Sequence, residues 1–289
     1  MNLTSRLAHR MVLLFAMGAV IPFCSAQSSS AKDAGTFPPL QKWKAAVIGG
    51  NAAALKALYS ATPPPQIGTP SGATNADADA AFWIGLNARQ IKLDIVQSDS
   101  PQPGAQQIVF QAEVQPFIGE TVYVSSGQLW QKQGEQWRLV ASKRSEPSRL
   151  QQPTSTKKEI YAPGVDAHAE IKHALAQATR QHKRVLVVFG ANWCYDCHVL
   201  DLAFHRPDVE AVLTKNYEVV HVDVGEGDKN QDLMQRYQVP MNKGIPAIAV
   251  LDSEGKLLYS QKGGEFEKAR ALTPEDVLAF LNKWKPGVR

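Results

Sequence analysis

The sequence has few cysteines and little net charge, and each shortage excludes a class of protein. Three cysteines occur among 289 residues, at positions 24, 194 and 197. A framework of disulfides between distant segments, which many small exported domains need, is therefore excluded. The formal net charge is +4 and no basic run with interleaved aromatic residues occurs, so nucleic acid is not an expected partner. With 44% hydrophobic residues, the chain can bury the cores of about two globular domains.

The N-terminus has the three-part pattern of a secretory signal peptide. Arg6 and Arg10 precede an apolar run at residues 11–23. Small residues at Cys24 and Ala26 flank a predicted cleavage after Ala26. The apolar run is shorter than the roughly 20 residues that span a bilayer. We therefore expect a periplasmic or secreted protein with no stable membrane insertion after cleavage, and the alternative is a protein anchored by an uncleaved signal.

Composition and periodicity divide the chain into five segments. These are a signal peptide at 1–26, a linker at 27–38, an α+β domain at 39–146, a second linker at 147–160 and an α/β domain at 161–289. In the first domain, helical periodicity over 40–59 is followed by alternating strands, which favours an α+β fold. A stretch at 61–80 is rich in proline, glycine and asparagine and is predicted to be a loop.

The segment after residue 161 alternates helices and strands in the order α-β-α-β-α-β-β-α. An amphipathic helix is predicted over 166–184, and the β-branched run at 185–191 is typical of a strand buried on both faces. Further strands are predicted at 217–224, 244–252 and 256–262, with a closing helix at 273–284. This order predicts a central mixed sheet flanked by helices.

The motif Cys194-Tyr-Asp-Cys197-His198 is compatible with three chemistries. A c-type haem would use both cysteines and His198, but the motif follows a buried strand rather than lying among helices and loops. A structural zinc ion needs four ligands, and no second C-x-x-C or H-x₃-H pattern follows. A redox-active dithiol fits the setting, with no metal and no other cofactor. We adopt the dithiol and retain haem and zinc as minor alternatives.

A strand ending at Ala191 and a helix beginning near Cys194 place this sulfur at a helix N-terminus. Unpaired N–H groups and the positive end of the helix dipole stabilise a thiolate there, so Cys194 is the expected nucleophile. Cys197 lies one turn later on the same face and is the expected resolving thiol, which attacks the mixed disulfide. Signal cleavage removes Cys24, so the mature chain keeps only this pair.

Two stretches resemble the thioredoxin superfamily: VLVVFGANWCYDC at 185–197 and GIPAIAVLD at 244–252. The resemblance covers about residues 161–289 and implies a thioredoxin-like α/β fold. It also implies a cis peptide bond before Pro246 and a substrate groove shaped by three residues: Trp193, Ile245 and Pro246. A family member of this kind acts on the disulfides and thiols of proteins. It exchanges electrons with a donor or acceptor that the sequence does not identify.

The sequence departs from the family at the residues that handle protons. Val188 stands where the family has a buried acid, and His221 stands where it has a lysine. Asp196 or His198 is therefore expected to relay a proton, and the alternative is that both are solvated helix residues. A negative Asp196 close to the sulfurs disfavours the Cys194 thiolate. This predicts a reducing couple, closer to about −270 mV than to about −120 mV.

Residues 39–146 resemble an NTF2-like domain, in which helices pack against a curved sheet. No histidine occurs between His9 and His168, which removes the commonest general base, although three acids remain: Asp77, Asp79 and Asp94. Three tryptophans are expected in the core: Trp43, Trp83 and Trp130. We interpret the domain as a non-catalytic binding or dimerising module. The alternative to an oxidoreductase is a binding protein that uses this domain for recognition and the dithiol as a redox sensor or accessory.

Overall fold

A computed structural model of the protein describes residues 37–287. The predicted signal peptide and the first linker up to residue 36 lie outside the described residues. Within the described part of the chain, no helix is long and apolar enough to cross a membrane.

The first domain is built from helices packed on one sheet. The helices are α1 (Pro38–Ile48), α2 (Ala52–Lys56) and α3 (Ala76–Gly85). The strands are β1 (Gln66–Thr69), β2 (Gly72–Thr74), β3 (Ala88–Asp99), β4 (Ala105–Pro116), β5 (Val122–Gln133) and β6 (Gln136–Arg144). The order across the sheet is β2-β1-β6-β5-β4-β3, and only the β1–β6 pair among these is parallel. The α+β prediction is confirmed.

The prediction of a loop over 61–80 is wrong from residue 66 onwards. Strands β1 and β2 pair as a hairpin there, and α3 begins at Ala76. The residues that indicated a loop start the helix instead. The Asn75 side chain accepts a hydrogen bond of 2.9 Å from the N–H of Ala78, which caps α3. Two acids, Asp77 and Asp79, lie in its first turn, where the helix dipole stabilises negative charge.

The three tryptophans of the first domain lie in its core, as predicted. Trp43 and Trp83 meet edge to face with ring centroids 4.7 Å apart, and Trp43 also packs on Phe110 at 5.5 Å. Trp130 is fully buried in the same cluster. None of these rings lies on an exposed surface where it could serve as a platform for a ligand.

The three candidate acids of the first domain differ in their surroundings. Asp77 and Asp94 are exposed. Asp79 is buried and accepts hydrogen bonds from the Tyr59 hydroxyl at 2.7 Å and from Nε of Arg144 at 2.8 Å. The Arg144 guanidinium also lies 3.3 Å over the centroid of the Phe82 ring. The Asp79 carboxylate is therefore engaged in a buried network that ties α3 to β6.

The second domain is a four-stranded mixed sheet between two layers of helices. The helices are α4 (Ala167–Gln181), α5 (Tyr195–Phe204), α6 (Pro207–Asn216), α7 (Gln231–Arg236) and α8 (Pro274–Trp284). The strands are β7 (Arg184–Gly190), β8 (Tyr217–Asp223), β9 (Ala247–Leu251) and β10 (Leu257–Ser260). Their order is β10-β9-β7-β8, with β8 parallel to β7 and β9 antiparallel to it. The mixed sheet is confirmed, and the predicted order of elements holds except that two helices, α5 and α6, lie between β7 and β8 where one was predicted.

Strand β7 is buried on both faces, as its sequence predicts. Val187 and Phe189 pack with α4 and α7 on one side of the sheet. Leu186 and Val188 pack with α5, α6 and α8 on the other side. This central strand therefore contacts both cores, and its carboxyl end is followed directly by residue 191 and the dithiol motif.

The segment at 147–160 makes specific contacts with both domains. Ser148 pairs with Tyr123 of β5 through backbone hydrogen bonds of 2.8 and 2.9 Å. Leu150 is fully buried in the core of the second domain. Arg149 forms ion pairs with Glu120, before β5, and with Glu275 of α8. This linker therefore fastens the first sheet to the helices of the second domain.

Candidate active site

The two cysteines lie just after β7, at the start of α5. Cys194 is the N-cap of α5, and its Sγ accepts a hydrogen bond of 3.1 Å from the N–H of Cys197. The two residues form a disulfide, with their Cα atoms 5.3 Å apart. Both are buried, at 4% and 2% exposed. The first sulfur thus lies at a helix N-terminus, where the N–H groups that stabilise a thiolate are available.

The predicted groove residues surround Cys194. The Ile245–Pro246 peptide bond is cis, and the carbonyl oxygen of Ile245 lies 3.6 Å from Cys194 Sγ. Trp193 is 55% exposed, and its ring N–H donates a hydrogen bond of 3.1 Å to the carbonyl of Gly225. The structure therefore brings an exposed aromatic ring and the cis-proline loop to the same disulfide.

Asp196 is not solvated, so that expectation is wrong for it, and its carboxylate is paired with Arg270. The residue is only 7% exposed. Its carboxylate accepts hydrogen bonds from the backbone N–H of Arg270 at 2.9 Å and from Nε of the same residue at 3.0 and 3.1 Å. Nη2 of Arg270 is a further donor. A guanidinium therefore offsets the negative charge on which the prediction of a reducing potential depended.

His198 is also buried, at 3% exposed, so the expectation of a solvated side chain is wrong for it too. Its Nε2 lies 2.7 Å from the carbonyl oxygen of Asn192 and must donate to it, since a carbonyl only accepts. The Asn192 amide in turn bonds the backbone of Ile160 and Tyr161. His198 therefore stabilises the turn that precedes Cys194.

His221 lies on β8, opposite Val188 in the β7–β8 ladder. Its ring meets Tyr161 edge to face, with centroids 5.4 Å apart. Burial lowers the pKa of His221 below its ordinary value, so the imidazole is neutral at pH 7 and brings no charge to the site. The lysine of the family thus has no charged counterpart at this position.

Tyr161 packs directly against the dithiol, a contact that no sequence pattern indicated. It forms one cluster with Cys194 and Cys197. A Cβ atom placed on Gly190 would lie 2.0 Å from the Tyr161 hydroxyl and 2.8 Å from Cys197 Sγ, so only glycine leaves room for this contact. Burial raises the pKa of Tyr161 above its ordinary value, which keeps the phenol protonated.

A buried acid lies on α5, whereas Val188 leaves β7 without one. Asp201 lies one helical turn after Cys197 on α5 and is buried. Nζ of Lys158 lies 2.8 Å from its carboxylate. Its negative charge acts on both Tyr161 and His221. The spacing of four residues after Cys197 is the sequence signal that would have identified it.

A cleft of about 610 Å³ opens beside the disulfide. Its walls are formed by the first turn of α5, the cis-proline loop and the segment before α8, namely Asp196, Gly244, Ile245, Glu267, Lys268, Arg270 and Ala271. Within residues 37–287, no group of three or more histidine, cysteine or acidic side chains comes together as a metal site would require.

Comparison with known proteins places the second domain in a family. Residues 166–253 match a family model described as thioredoxin-like. The thiol:disulfide interchange protein DsbD 2 of Pseudomonas aeruginosa is 32% identical over 136 residues, which cover 46% of this chain and 21% of that protein. The chain thus spans about a fifth of the length of the curated relatives it matches.

Two solved structures are similar to parts of the chain. A disulphide isomerase from Xylella fastidiosa Temecula1 is 41% identical, with a TM-score of 0.42, and the match covers 44% of this chain and 97% of that one. An NTF2-like protein of unknown function from Shewanella oneidensis MR-1 is 14% identical, with a TM-score of 0.35, and the match covers 40% of this chain and 99% of that one.

Proposed function

Because residues 166–253 belong to the thioredoxin-like family, we propose that the protein is an exported thiol–disulfide oxidoreductase acting on protein disulfides. The observation that carries the proposal is the Cys194–Cys197 disulfide at the N-terminus of α5, facing the cis Ile245–Pro246 bond. The relative DsbD 2 is by its name a thiol:disulfide interchange protein, which supports the same chemistry. Export rests on the signal-peptide pattern at the N-terminus.

The proposed reaction moves two electrons from the reduced dithiol to a substrate disulfide. The Cys194 thiolate attacks one substrate sulfur, the substrate S–S bond breaks, and the departing sulfur takes a proton. Cys197 then loses its proton and attacks Cys194 Sγ, which forms the internal disulfide and releases the second substrate thiol. A thiol donor re-reduces the pair by the same steps in reverse.

We propose that Asp201 accepts the proton that Cys197 loses. Both residues are buried on the same face of α5, and Lys158 fixes the carboxylate at 2.8 Å. A carboxylate within reach of the thiol, directly or through one water, can accept its proton when Cys197 attacks. Burial lowers the pKa of His221, which makes its imidazole a weaker base than an exposed histidine.

Replacement of Asp201 by asparagine is expected to slow release of the substrate at pH 7 by about 10²-fold, the usual size of a general-base contribution. The rate should recover as the pH rises towards the ordinary thiol pKa of about 8.5, because hydroxide then removes the proton. Single-turnover reduction of a disulfide substrate between pH 6 and pH 10 measures this. The control is Asp208→Asn, which removes an exposed acid paired with Arg206. Parallel profiles for wild type and Asp201→Asn would exclude the assignment.

We propose that the charges around the dithiol influence the direction of electron flow. The sequence predicts a reducing couple because of Asp196, but Arg270 offsets that charge. The helix N-terminus then stabilises the Cys194 thiolate without opposition, which raises the potential. We propose a potential between about −270 mV and about −120 mV, so that the protein reduces unstable disulfides and leaves stable ones intact.

Insulin reduction by a small dithiol is the direct test of the activity. Wild-type protein is expected to accelerate precipitation of the insulin B chain, and Cys194→Ser is expected to abolish the acceleration because it removes the nucleophile. Turbidity measures the rate. Equal rates with wild type, Cys194→Ser and no protein would instead favour the binding protein that uses its dithiol as a sensor.

A further inference from the structure

A short 3₁₀ turn, Ala269–Ala271, closes over the residues between the two cysteines. Its central residue, Arg270, donates to Asp196 from both backbone and side chain. The Arg270 guanidinium also lies 4.8 Å over the ring of Tyr195. One residue, far from the motif in sequence, therefore contacts both members of the dipeptide.

The turn is itself held in place. The Ser148 hydroxyl lies 3.1 Å from the carbonyl oxygen of Arg270 and donates to it. Ala269 is fully buried in the core of the second domain. The Arg270 side chain remains 55% exposed on the wall of the cleft, whereas the carboxylate it holds is buried. The guanidinium is thus the only positive group in the described structure that directly hydrogen-bonds the Asp196 carboxylate.

This pairing decides the charge next to the reactive sulfur. Asp196 lies in the first turn of α5, the turn that Cys194 caps. Without Arg270, a buried carboxylate would stand unpaired there, and it would oppose the thiolate that forms when the disulfide is reduced. Without Asp196, the guanidinium would stand alone and would stabilise that thiolate.

We propose that Arg270 is a positioning residue that sets the redox equilibrium of the Cys194–Cys197 pair by neutralising Asp196. The proposal rests on the thiol–disulfide exchange proposed above. The equilibrium is the reaction of the oxidised protein with two molecules of glutathione to give the dithiol protein and one glutathione disulfide. Stabilising the thiolate shifts it towards the dithiol, and destabilising the thiolate shifts it back.

The test is a double-mutant cycle on this equilibrium constant, measured at pH 7 by thiol alkylation after incubation in glutathione buffers. Arg270→Gln is expected to lower the constant for reduction roughly three- to tenfold, and Asp196→Asn is expected to raise it by a similar factor, since a neighbouring charge shifts a pKa by about one unit. The double variant should return to within about twofold of wild type.

Two further variants separate charge from structure. Lys268→Gln removes a positive charge from the same cleft wall, where the ammonium lies 3.8 Å from Glu267, and should leave the constant unchanged. Arg270→Lys keeps the positive charge, so its equilibrium constant should lie closer to the wild-type value than that of Arg270→Gln. Shifts of both single variants in one direction, or no shift in either, would overturn the proposal. Alkylation does not depend on turnover, so loss of insulin reduction with opposite shifts intact would contradict only the proposed function.

Discussion

Replacement of Cys197 by serine is expected to convert the protein into a covalent trap for its substrates. Cys194 can still attack a disulfide, but the resolving sulfur that lies against it in the wild type is gone. The mixed disulfide then persists, and turnover falls by about 10³-fold or more, because release depends on an outside thiol at millimolar concentration instead of an intramolecular one. The adduct is measured by mass spectrometry of the protein after incubation with an oxidised protein.

The same measurement contains its own control. Cys194→Ser keeps Cys197 but removes the sulfur at the N-terminus of α5, and should form no adduct. Treatment with a strong reductant should release the trapped partner from Cys197→Ser. An adduct on Cys194→Ser of the same yield would reverse the assignment of nucleophile and resolving thiol.

Replacement of Asp79 by alanine is expected to lower the free energy of unfolding of the first domain by about 3–5 kcal/mol. The change leaves the Arg144 guanidinium buried without its carboxylate, and it leaves the Tyr59 hydroxyl without its acceptor. Urea denaturation followed by tryptophan fluorescence measures the effect. Four of the six tryptophans lie in this domain: Trp43, Trp83, Trp130 and Trp137.

The control for this prediction lies two residues earlier on the same helix. Asp77 is paired with Lys56, but its side chain is 76% exposed, so Asp77→Ala should cost less than about 1 kcal/mol. Similar losses for the two variants would show that helix α3 responds to any lost acid in its first turn. The buried network would then contribute nothing of its own.

Sequence analysis predicted the helices and strands that can be identified from the pattern of neighbouring residues. The unbroken β-branched run over 185–191 identified β7. The closing helix predicted at 273–284 matches α8, where the structure shows a capping box between Thr273 and Asp276. The position of Cys194 at a helix N-terminus followed from the same local patterns, and the structure has it there. These inferences needed no knowledge of contacts between distant residues.

Contacts across the fold were beyond sequence analysis. Nothing in the sequence near Asp196 indicates that Arg270 will meet it from 74 residues away. The prediction of a reducing potential therefore used the negative charge of Asp196 without the Arg270 guanidinium that offsets it. Asn75 shows a different limit, because asparagine favours a loop and a helix N-cap equally, and only the packing of α3 on the core decides between them.

The burial of Leu150 has a consequence for the order in which the protein is made. This side chain belongs to the core of the second domain but precedes that domain in the chain. Synthesis runs from the N-terminus, so Leu150 emerges with the first sheet, well before α8, which it joins in that core. The core that contains Leu150 is therefore completed only after α8 has been synthesised.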